Sequence, residues 1–192
     1  MKKNKNNMIP RFLSKNLNLS GDLSDIFVVD FLDLRIGFAP ENATSYNQYL
    51  TKDTIIKEGK MVPDIVYSAL TNAQNDLTAT VKPLGDFLGV SGVDSPLWIA
   101  LTGEQDNGGS IVLLNNDILK WFSEDVADGD YYIIPSSVHE VLFAPKKDLI
   151  CPIDDICKMI KDINDNIVNE DDVLSDSLYY YDSSTGRINI VE

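Results

Sequence analysis

The sequence is poor in the side chains that most often bind metals or form crosslinks. Among its 192 residues are a single histidine, His139, and two cysteines, Cys151 and Cys157. One imidazole and two thiols cannot supply the four ligands of a usual structural zinc site. The cysteines are six positions apart in a stretch that has the pattern of one helix, which is a poor geometry for a disulfide. We therefore expect reduced thiols in a cytoplasmic protein without bound zinc.

Long apolar runs and phosphate-binding motifs are also missing. No segment approaches the ~20 apolar residues of a membrane-spanning helix. The basic start, MKKNKNNMIPRFL, is followed by too few apolar residues for a secretory signal. Asp106–Gly109 lacks the spacing and context of a phosphate-binding loop, and a tight hairpin turn accounts for its glycines. We expect no cofactor.

Basic residues are scarce outside the N-terminus. The chain has 16 Lys and Arg against 30 Asp and Glu, a formal net charge of −14. Residues 1–20 hold five bases and no acid, so the rest holds 11 bases against 30 acids, a net charge of −19. A field of this sign does not attract DNA, RNA or anionic lipid. It favours either contact with a basic partner protein, by imitation of nucleic acid, or simple solubility.

The length and the order of elements predict one α+β domain. We expect a disordered basic tail at 1–8 and a single domain over 9–192, with a mixed or mainly antiparallel sheet and about three helices. Alternating apolar residues predict strands in the core sheet, and a short polar-aromatic stretch, YNQYLT, predicts a further strand. Apolar stripes at helical spacing predict the helices, with Asn116 as the N-cap of the second. The predicted strands are 31–38, 97–102, 110–114, 131–134 and a hairpin within 178–192, and the predicted helices are 63–76, 116–126 and 153–167.

The helix stripes define which side chains should face the core. In the last predicted helix, five isoleucines share one face: Ile153, Ile156, Ile160, Ile163 and Ile167. Segments 97–102 and 110–114 flank the glycine-containing turn and look like the two arms of a hairpin.

The most chemically suggestive stretch is YYIIPSSVHEVLFAP, residues 131–145. Ser136, Ser137, His139 and Glu140 are the candidate catalytic residues if the protein is a hydrolase or transferase. The spacing of Ser137 and Glu140 also fits a capping box at a helix start, with both residues in a structural role. A serine triad usually draws its members from different elements, and no nucleophile elbow is present. We therefore favour capping over catalysis.

An acidic C-terminal region is the candidate binding surface. Six acids and two tyrosines belong to it: Asp162, Asp165, Glu170, Asp171, Asp172, Asp176, Tyr179 and Tyr181. Counted from Asp162, the sixth and twelfth loop positions are Ile167 and Val173, which excludes an EF-hand. An incidental cation site among the acids at 170–172 stays open, although a solvated acidic face is the simpler interpretation. The tyrosines either anchor an interface or cover a sheet edge.

The motif YYIIPSSVHEV, together with the preceding N-G-G, resembles a bacterial domain family of unknown function. That family is common in gut Gram-positive bacteria and their mobile elements. The resemblance spans about residues 28–182 and implies no catalytic residues. Longer members carry an additional N-terminal half that this sequence lacks. The resemblance implies a role in conflict between a host and a mobile element.

These observations lead to a functional hypothesis with alternatives. The protein is expected to be a non-enzymatic acidic binding protein, and its specific form would be a DNA-mimicking inhibitor of a restriction or CRISPR nuclease or of a similar nucleic-acid-binding defence protein. Its partner would be another protein with a basic groove, with no direct contact to nucleic acid or membrane. The alternatives are the hydrolase or transferase above and a structural or regulatory accessory protein.

Overall fold

The structure is a computed structural model that describes residues 8–40, 42–76, 79–90, 95–102 and 109–191. Its strands form two antiparallel sheets. The smaller sheet has the order β1-β3-β2 and consists of β1 (Met8–Leu13), β2 (Val28–Phe31) and β3 (Leu34–Pro40). The larger sheet has the order β4-β5-β7-β6-β8-β9. Its strands are β4 (Ala79–Pro83), β5 (Trp98–Thr102), β6 (Tyr131–Ile134), β7 (Val141–Pro145), β8 (Tyr179–Asp182) and β9 (Arg187–Ile190).

The α-helices in the described ranges are α1 (Lys52–Glu58), α2 (Val62–Asp76), α3 (Leu84–Phe87), α4 (Asn116–Trp121) and α5 (Ile153–Asn166). The fold class is α+β, as the sequence predicts. Helices α1 and α3 were not predicted. None of the helices in these ranges has the length and apolar character that crossing a membrane requires.

The aromatic centre of the core lies where α4 and its continuation pack on the larger sheet. Phe122 directly follows α4, and its ring centroid is 4.8 Å from that of Tyr131 on β6 and 4.9 Å from that of Phe143 on β7. All three side chains are fully buried. Burial of several large rings at one place supplies much of the hydrophobic stabilisation of a domain of this size.

The strand predictions are partly confirmed. Segments 97–102 and 131–134 are neighbours of β7 in the larger sheet, and the C-terminal hairpin is present as β8 and β9. The segment predicted as one strand at 31–38 instead contains a turn at Leu32 and Asp33, and Leu32 has a φ of 55°. The predicted alternation of apolar residues is present from Leu34 onward, but the strand that begins there, β3, belongs to the smaller sheet. The prediction that 31–38 shares a sheet with the other strands is therefore wrong.

Two predicted strands are helical turns. Residues Gly109–Leu114 form a 3-10 helix with Ile111, Val112 and Leu113 all buried. A short run that is buried on every side does not reveal its period, so a strand and a helical turn give the same pattern. The stretch YNQYLT contains the 3-10 turn Tyr46–Gln48, and Thr51 then caps α1. The prediction that 110–114 forms a strand paired with β5 is therefore wrong. Residues 103–108, in the predicted hairpin turn, lie outside the described residues.

The helix predictions hold better, with corrections at their ends. In α2, Ala69 and Ala73 are buried as the stripe predicts. The cap of α4 is Asn115, not Asn116, because the Oδ1 atom of Asn115 accepts hydrogen bonds from the backbone amides of Asp117 and Ile118, each at 3.2 Å. The helix continues through a π-helical turn, Phe122–Ala127.

Helix α5 uses only part of its predicted stripe. Ile156 and Ile160 are buried, whereas Ile163 is 37% exposed and Ile167, just after the helix, is 76% exposed. The prediction of five inward isoleucines is wrong for the last two, because only the earlier isoleucines pack in the cluster with Ile134 and Leu178. Cys151 and Cys157 are free thiols, as predicted. Of the predicted basic tail, residues 1–7 lie outside the described residues, and Met8 already belongs to β1.

Candidate binding site

An open pocket of about 480 Å³ lies where the smaller sheet meets the loops of the larger one. Four separate chain segments form its walls: the end of β1, residues 43–49, the loop between β6 and β7, and the acidic turn Glu170–Asp172. Its volume is within the usual range for ligand sites. The lining residues are Arg11, Phe12, Ser14, Ala43, Thr44, Ser45, Tyr46, Tyr49, Val138, His139, Asp171 and Asp172.

The β6–β7 loop contains the predicted Ser-x-x-Glu group, but no helix follows it. The hydroxyl of Ser136 donates to Glu140 Oε1 at 3.1 Å, and the hydroxyl of Ser137 donates to Oε2 at 2.8 Å. The backbone amide of Ser137 donates to the carbonyl of Glu140 at 3.1 Å, which closes the loop. The predicted capping box is wrong, because β7 begins at Val141 and the same spacing of serine and glutamate closes a strand-to-strand turn.

His139 faces a different acid from the one next to it in the sequence. Its Nε2 atom is 3.2 Å from Asp172 Oδ1. A carboxylate accepts hydrogen bonds only, so this contact places the imidazole proton on Nε2. The Nδ1 atom is buried and has no hydrogen-bond partner among the described residues. The hydroxyl of Ser137 accepts from the backbone amide of His139 at 3.0 Å, so this contact does not involve the imidazole ring. The two serines, His139 and Glu140 of this loop are therefore not arranged as the nucleophile, base and orienting acid of a catalytic triad.

Contacts with Gly109, Ser110 and Asp172 fix the position of the β6–β7 loop. A Cβ atom at Gly109 would overlap with the carbonyl oxygen of His139, so only glycine allows this approach of the two backbones. The hydroxyl of Ser110 donates to the carbonyl of Val138 at 2.8 Å. The amide of Val138 in turn donates to the carbonyl of Asp172 at 2.9 Å. The last glycine of the N-G-G motif thus positions the loop, a role that its predicted place in a hairpin turn did not suggest.

The acidic turn is fixed to the end of β1 by its backbone. The carbonyl of Glu170 accepts from the hydroxyl of Ser14 at 3.1 Å and from the Asn16 side chain at 2.9 Å. The amide of Lys15 donates to the carbonyl of Val173 at 2.9 Å. These bonds use backbone groups of the turn and do not engage its carboxylates. Asp171 and Asp172 line the pocket, whereas Glu170 is exposed and is not one of the lining residues.

Two tyrosines supply the aromatic wall of the pocket. The ring centroids of Tyr46 and Tyr49 are 5.4 Å apart, with the rings inclined at 46°. Burial raises the pKa of Tyr46, and the negative charges of Asp171 and Asp172 raise this pKa further, against a smaller opposing effect of Arg35. Burial also raises the pKa of Tyr49, and the positive charge of Arg11 opposes that rise. The Tyr46 side of the pocket is therefore the electronegative side.

Sequence reasoning missed the tyrosine pair because it assigned this stretch to a strand. Residues three apart on a strand point to opposite faces, whereas on a 3-10 turn they share one face. The spacing of Tyr46 and Tyr49 was the available signal, and it is compatible with both structures.

The remaining predicted binding residues lie elsewhere. Asp162 and Asp165 are exposed on the last turns of α5. Asp176 is paired with Lys15, whose Nζ atom is 2.5 Å from its Oδ1. Burial would raise the pKa of Asp176, but hydrogen bonds from Lys15 and Asn164 lower this pKa overall.

The two tyrosines of the predicted surface, Tyr179 and Tyr181, are only 0% and 4% exposed, so the prediction that they contact a partner is wrong. On β8 they point into the core, and the phenol of Tyr179 donates to Asp33. Of the predicted residues, the structure brings His139, Asp171 and Asp172 together in one pocket. Within the part of the chain that the structure describes, no group of three or more His, Cys, Asp or Glu side chains is arranged to hold a metal ion.

Comparison with known families places this chain in a group defined by sequence. The chain belongs to a family of unknown function (DUF5688), which matches residues 1–183. This match includes the 28–182 segment on which the resemblance rests and extends beyond it in both directions. Neither the curated proteins nor the solved structures include a match to this chain.

Proposed function

We propose that this member of the DUF5688 family is a binding protein that docks onto a basic surface of another protein. The observation that carries the proposal is the pocket in which Asp171 and Asp172 face the tyrosine pair Tyr46 and Tyr49. Carboxylates beside aromatic rings form a surface that suits positively charged side chains.

The charge of the whole molecule supports the same partner. The chain has a formal net charge of −14, and residues 21–192 carry −19. A field of this sign speeds the approach of a basic protein and repels nucleic acid. Outside the pocket, Asp162 and Asp165 on α5 and Glu170 in the acidic turn are exposed and add negative charge to the surface.

The finer form of the proposal is inhibition of a nucleic-acid-binding defence protein by DNA mimicry. It depends on the expectation that the family is common in mobile elements and on the negative charge of the chain. A nuclease or restriction enzyme binds phosphates through rows of arginine and lysine, and a row of carboxylates competes for the same groups. In this form the protein is cytoplasmic and acts without a cofactor.

A second candidate, a hydrolase or transferase that uses His139, is favoured by one observation. The Nε2 atom of His139 is 3.2 Å from Asp172 Oδ1 in an open pocket, which is the arrangement of a base and its orienting acid. Against it, the hydroxyls of Ser136 and Ser137 both donate to Glu140. The binding proposal uses more of the pocket.

The experiment is affinity capture with a matched variant. Wild-type protein and a triple variant, Glu170→Gln, Asp171→Asn and Asp172→Asn, are immobilised and exposed to a lysate of the native host. Proteins held by the wild type and lost from the variant, and released both by duplex DNA and by salt, support the proposal. Salt should act strongly, because the screening length falls from ~10 Å at 0.1 M to ~3 Å at 1 M.

Two results would contradict the proposal. One is capture of the same proteins by both forms, and the other is retention that does not change over this range of salt. The His139→Ala variant tests the second candidate in the same preparation. Loss of a measured turnover from a variant that stays folded would favour the enzyme.

A further inference from the structure

On the premise of the proposed function, we infer that the pocket takes one arginine side chain of the partner as an anchor. The guanidinium would lie against the Tyr46 ring and donate hydrogen bonds to Asp171. The inference concerns one residue class at one pocket, and the rest of the acidic surface plays no part in it.

Asp171 is the carboxylate with unused capacity. Asp172 already accepts from His139 through Oδ1 and from Asn169 through Oδ2. Among the described residues, no hydrogen bond or salt bridge engages the carboxylate of Asp171, although it lines the pocket. An exposed carboxylate at the wall of a pocket is positioned to bind an incoming cation.

The electrostatics of the pocket tell which end the cation occupies. The charges of Asp171 and Asp172 act on the phenol of Tyr46 and are opposed more weakly by the charge of Arg35, whereas the charge of Arg11 acts on the phenol of Tyr49. Arg11 itself has an interaction partner. A second cation is therefore favoured near Tyr46, where the two carboxylates line the pocket, over the Tyr49 end.

The chemistry of the walls favours arginine over lysine. A guanidinium is a flat group with five donors, which stacks on an aromatic ring and binds a carboxylate through two parallel hydrogen bonds. The lining of the pocket includes Tyr46 and a carboxylate whose charge acts on its phenol, and Thr44 and Ser45 line the same space. An ammonium group satisfies the charge of Asp171 but cannot stack as a plane.

Three capped pentapeptides test the inference, with a central arginine, lysine or citrulline between pairs of glycines. Citrulline keeps the planar shape of arginine and removes its charge. Binding is followed by NMR titration of the full-length protein. The arginine peptide should bind roughly tenfold more tightly than the citrulline peptide, which lacks the charge-assisted hydrogen bonds. It should also bind more tightly than the lysine peptide, which lacks a planar group that stacks on the ring.

Neighbouring acids provide the matched control. Asp171→Asn and Glu170→Gln each remove one charge from the same turn, but only Asp171 lines the pocket. Asp171→Asn should weaken the arginine peptide roughly tenfold, and Glu170→Gln should leave its binding nearly unchanged. Tyr46→Leu, which keeps the bulk of the side chain and removes the ring, should also weaken binding. Circular dichroism of each variant confirms that the fold is retained.

The possible failures are distinguishable. Equal binding of the arginine and lysine peptides, equal effects of the two acid variants, or no binding of the arginine peptide overturns the inference. None of these results touches the proposed function, which fails if the capture from lysate does not depend on the acidic turn or on salt.

Discussion

Replacing Asp33 by alanine should lower the free energy of unfolding by about 2–4 kcal/mol, because this residue joins the two sheets. Asp33 lies in the turn between β2 and β3, and its carboxylate accepts three hydroxyl donors from the segment that leads into β8. Tyr179 donates to Oδ1 at 2.6 Å, and Ser175 and Ser177 donate to Oδ2 at 2.6 and 2.8 Å. Ser175 and Ser177 follow the acidic turn in the chain, so these bonds also tie the smaller sheet to the segment next to that turn.

The magnitude follows from what the alanine variant leaves behind. Tyr179 and Ser175 are buried, and a buried hydroxyl that loses its acceptor costs about 1–3 kcal/mol. Asp33 itself is exposed, so water reaches part of the vacated space and offsets some of this cost. Urea denaturation should show the loss as a lower midpoint with an unchanged slope. A double-mutant cycle with Tyr179→Phe should give a coupling free energy of about 1.5 kcal/mol.

The effect should also depend on pH. Burial would raise the pKa of Asp33, but the hydrogen bonds from Ser175, Tyr179 and Ser177 lower it overall. A carboxyl whose folded pKa is below its unfolded value, ~3.9, stabilises the fold above that value and loses this contribution as pH falls through the folded pKa. The difference between the wild type and Asp33→Ala should therefore shrink in acid. A change in unfolding free energy below about 0.5 kcal/mol, or a coupling free energy of zero, would refute this account of the network.

Three further predictions concern other parts of the fold. Burial raises the pKa of Tyr131, Tyr179 and Tyr181, so the fold should lose stability above about pH 10, where tyrosines of the unfolded chain ionise. In alkaline denaturation, Tyr131→Phe should reduce the loss of unfolding free energy with pH. Stability that does not change up to about pH 11 would contradict this prediction. Gly109→Ala should cost about 1–3 kcal/mol by thermal unfolding and shift the NMR signals of the β6–β7 loop, because its methyl group meets the His139 carbonyl; an unchanged loop would mean that the two backbones can separate. Asn115→Ala should cost about 0.5–2 kcal/mol, and the adjacent control Asn116→Ala clearly less, since only Asn115 caps α4; equal losses would reassign the cap.

The parts of the fold that were predictable from sequence are those in which one face is buried and the other is wet. The stripe of α2, the strand alternation from Leu34 and the turn between β8 and β9 each leave a local signal that neighbouring residues are enough to read. The run at 109–114 failed because it is buried on all sides. The Ser137–Glu140 spacing failed because the hydrogen bonds that start a helix also close a loop between strands.

The candidate site was predictable only in pieces. His139, Asp171 and Asp172 were singled out by residue type and charge, but the hydrogen bond between His139 and Asp172 joins residues 33 positions apart. No local pattern records which acid a distant histidine meets. The sequence analysis therefore listed His139 only with its neighbours Ser136, Ser137 and Glu140, and it missed the two tyrosines of the pocket.

The hydrogen bond between Ser14 and Glu170 joins residues 156 positions apart, and this separation has a consequence for how the protein matures. Ribosomes add ~5–20 residues per second, so the strand that forms one wall of the pocket emerges on the order of 10–30 s before the turn that fixes it. During that interval the apolar residues of β1, such as Phe12 and Leu13, lack this anchor. Contacts between such distant parts of a chain also slow the final folding step. A nascent chain is therefore exposed to premature association through its first strand, and the pocket forms only after most of the chain has been synthesised.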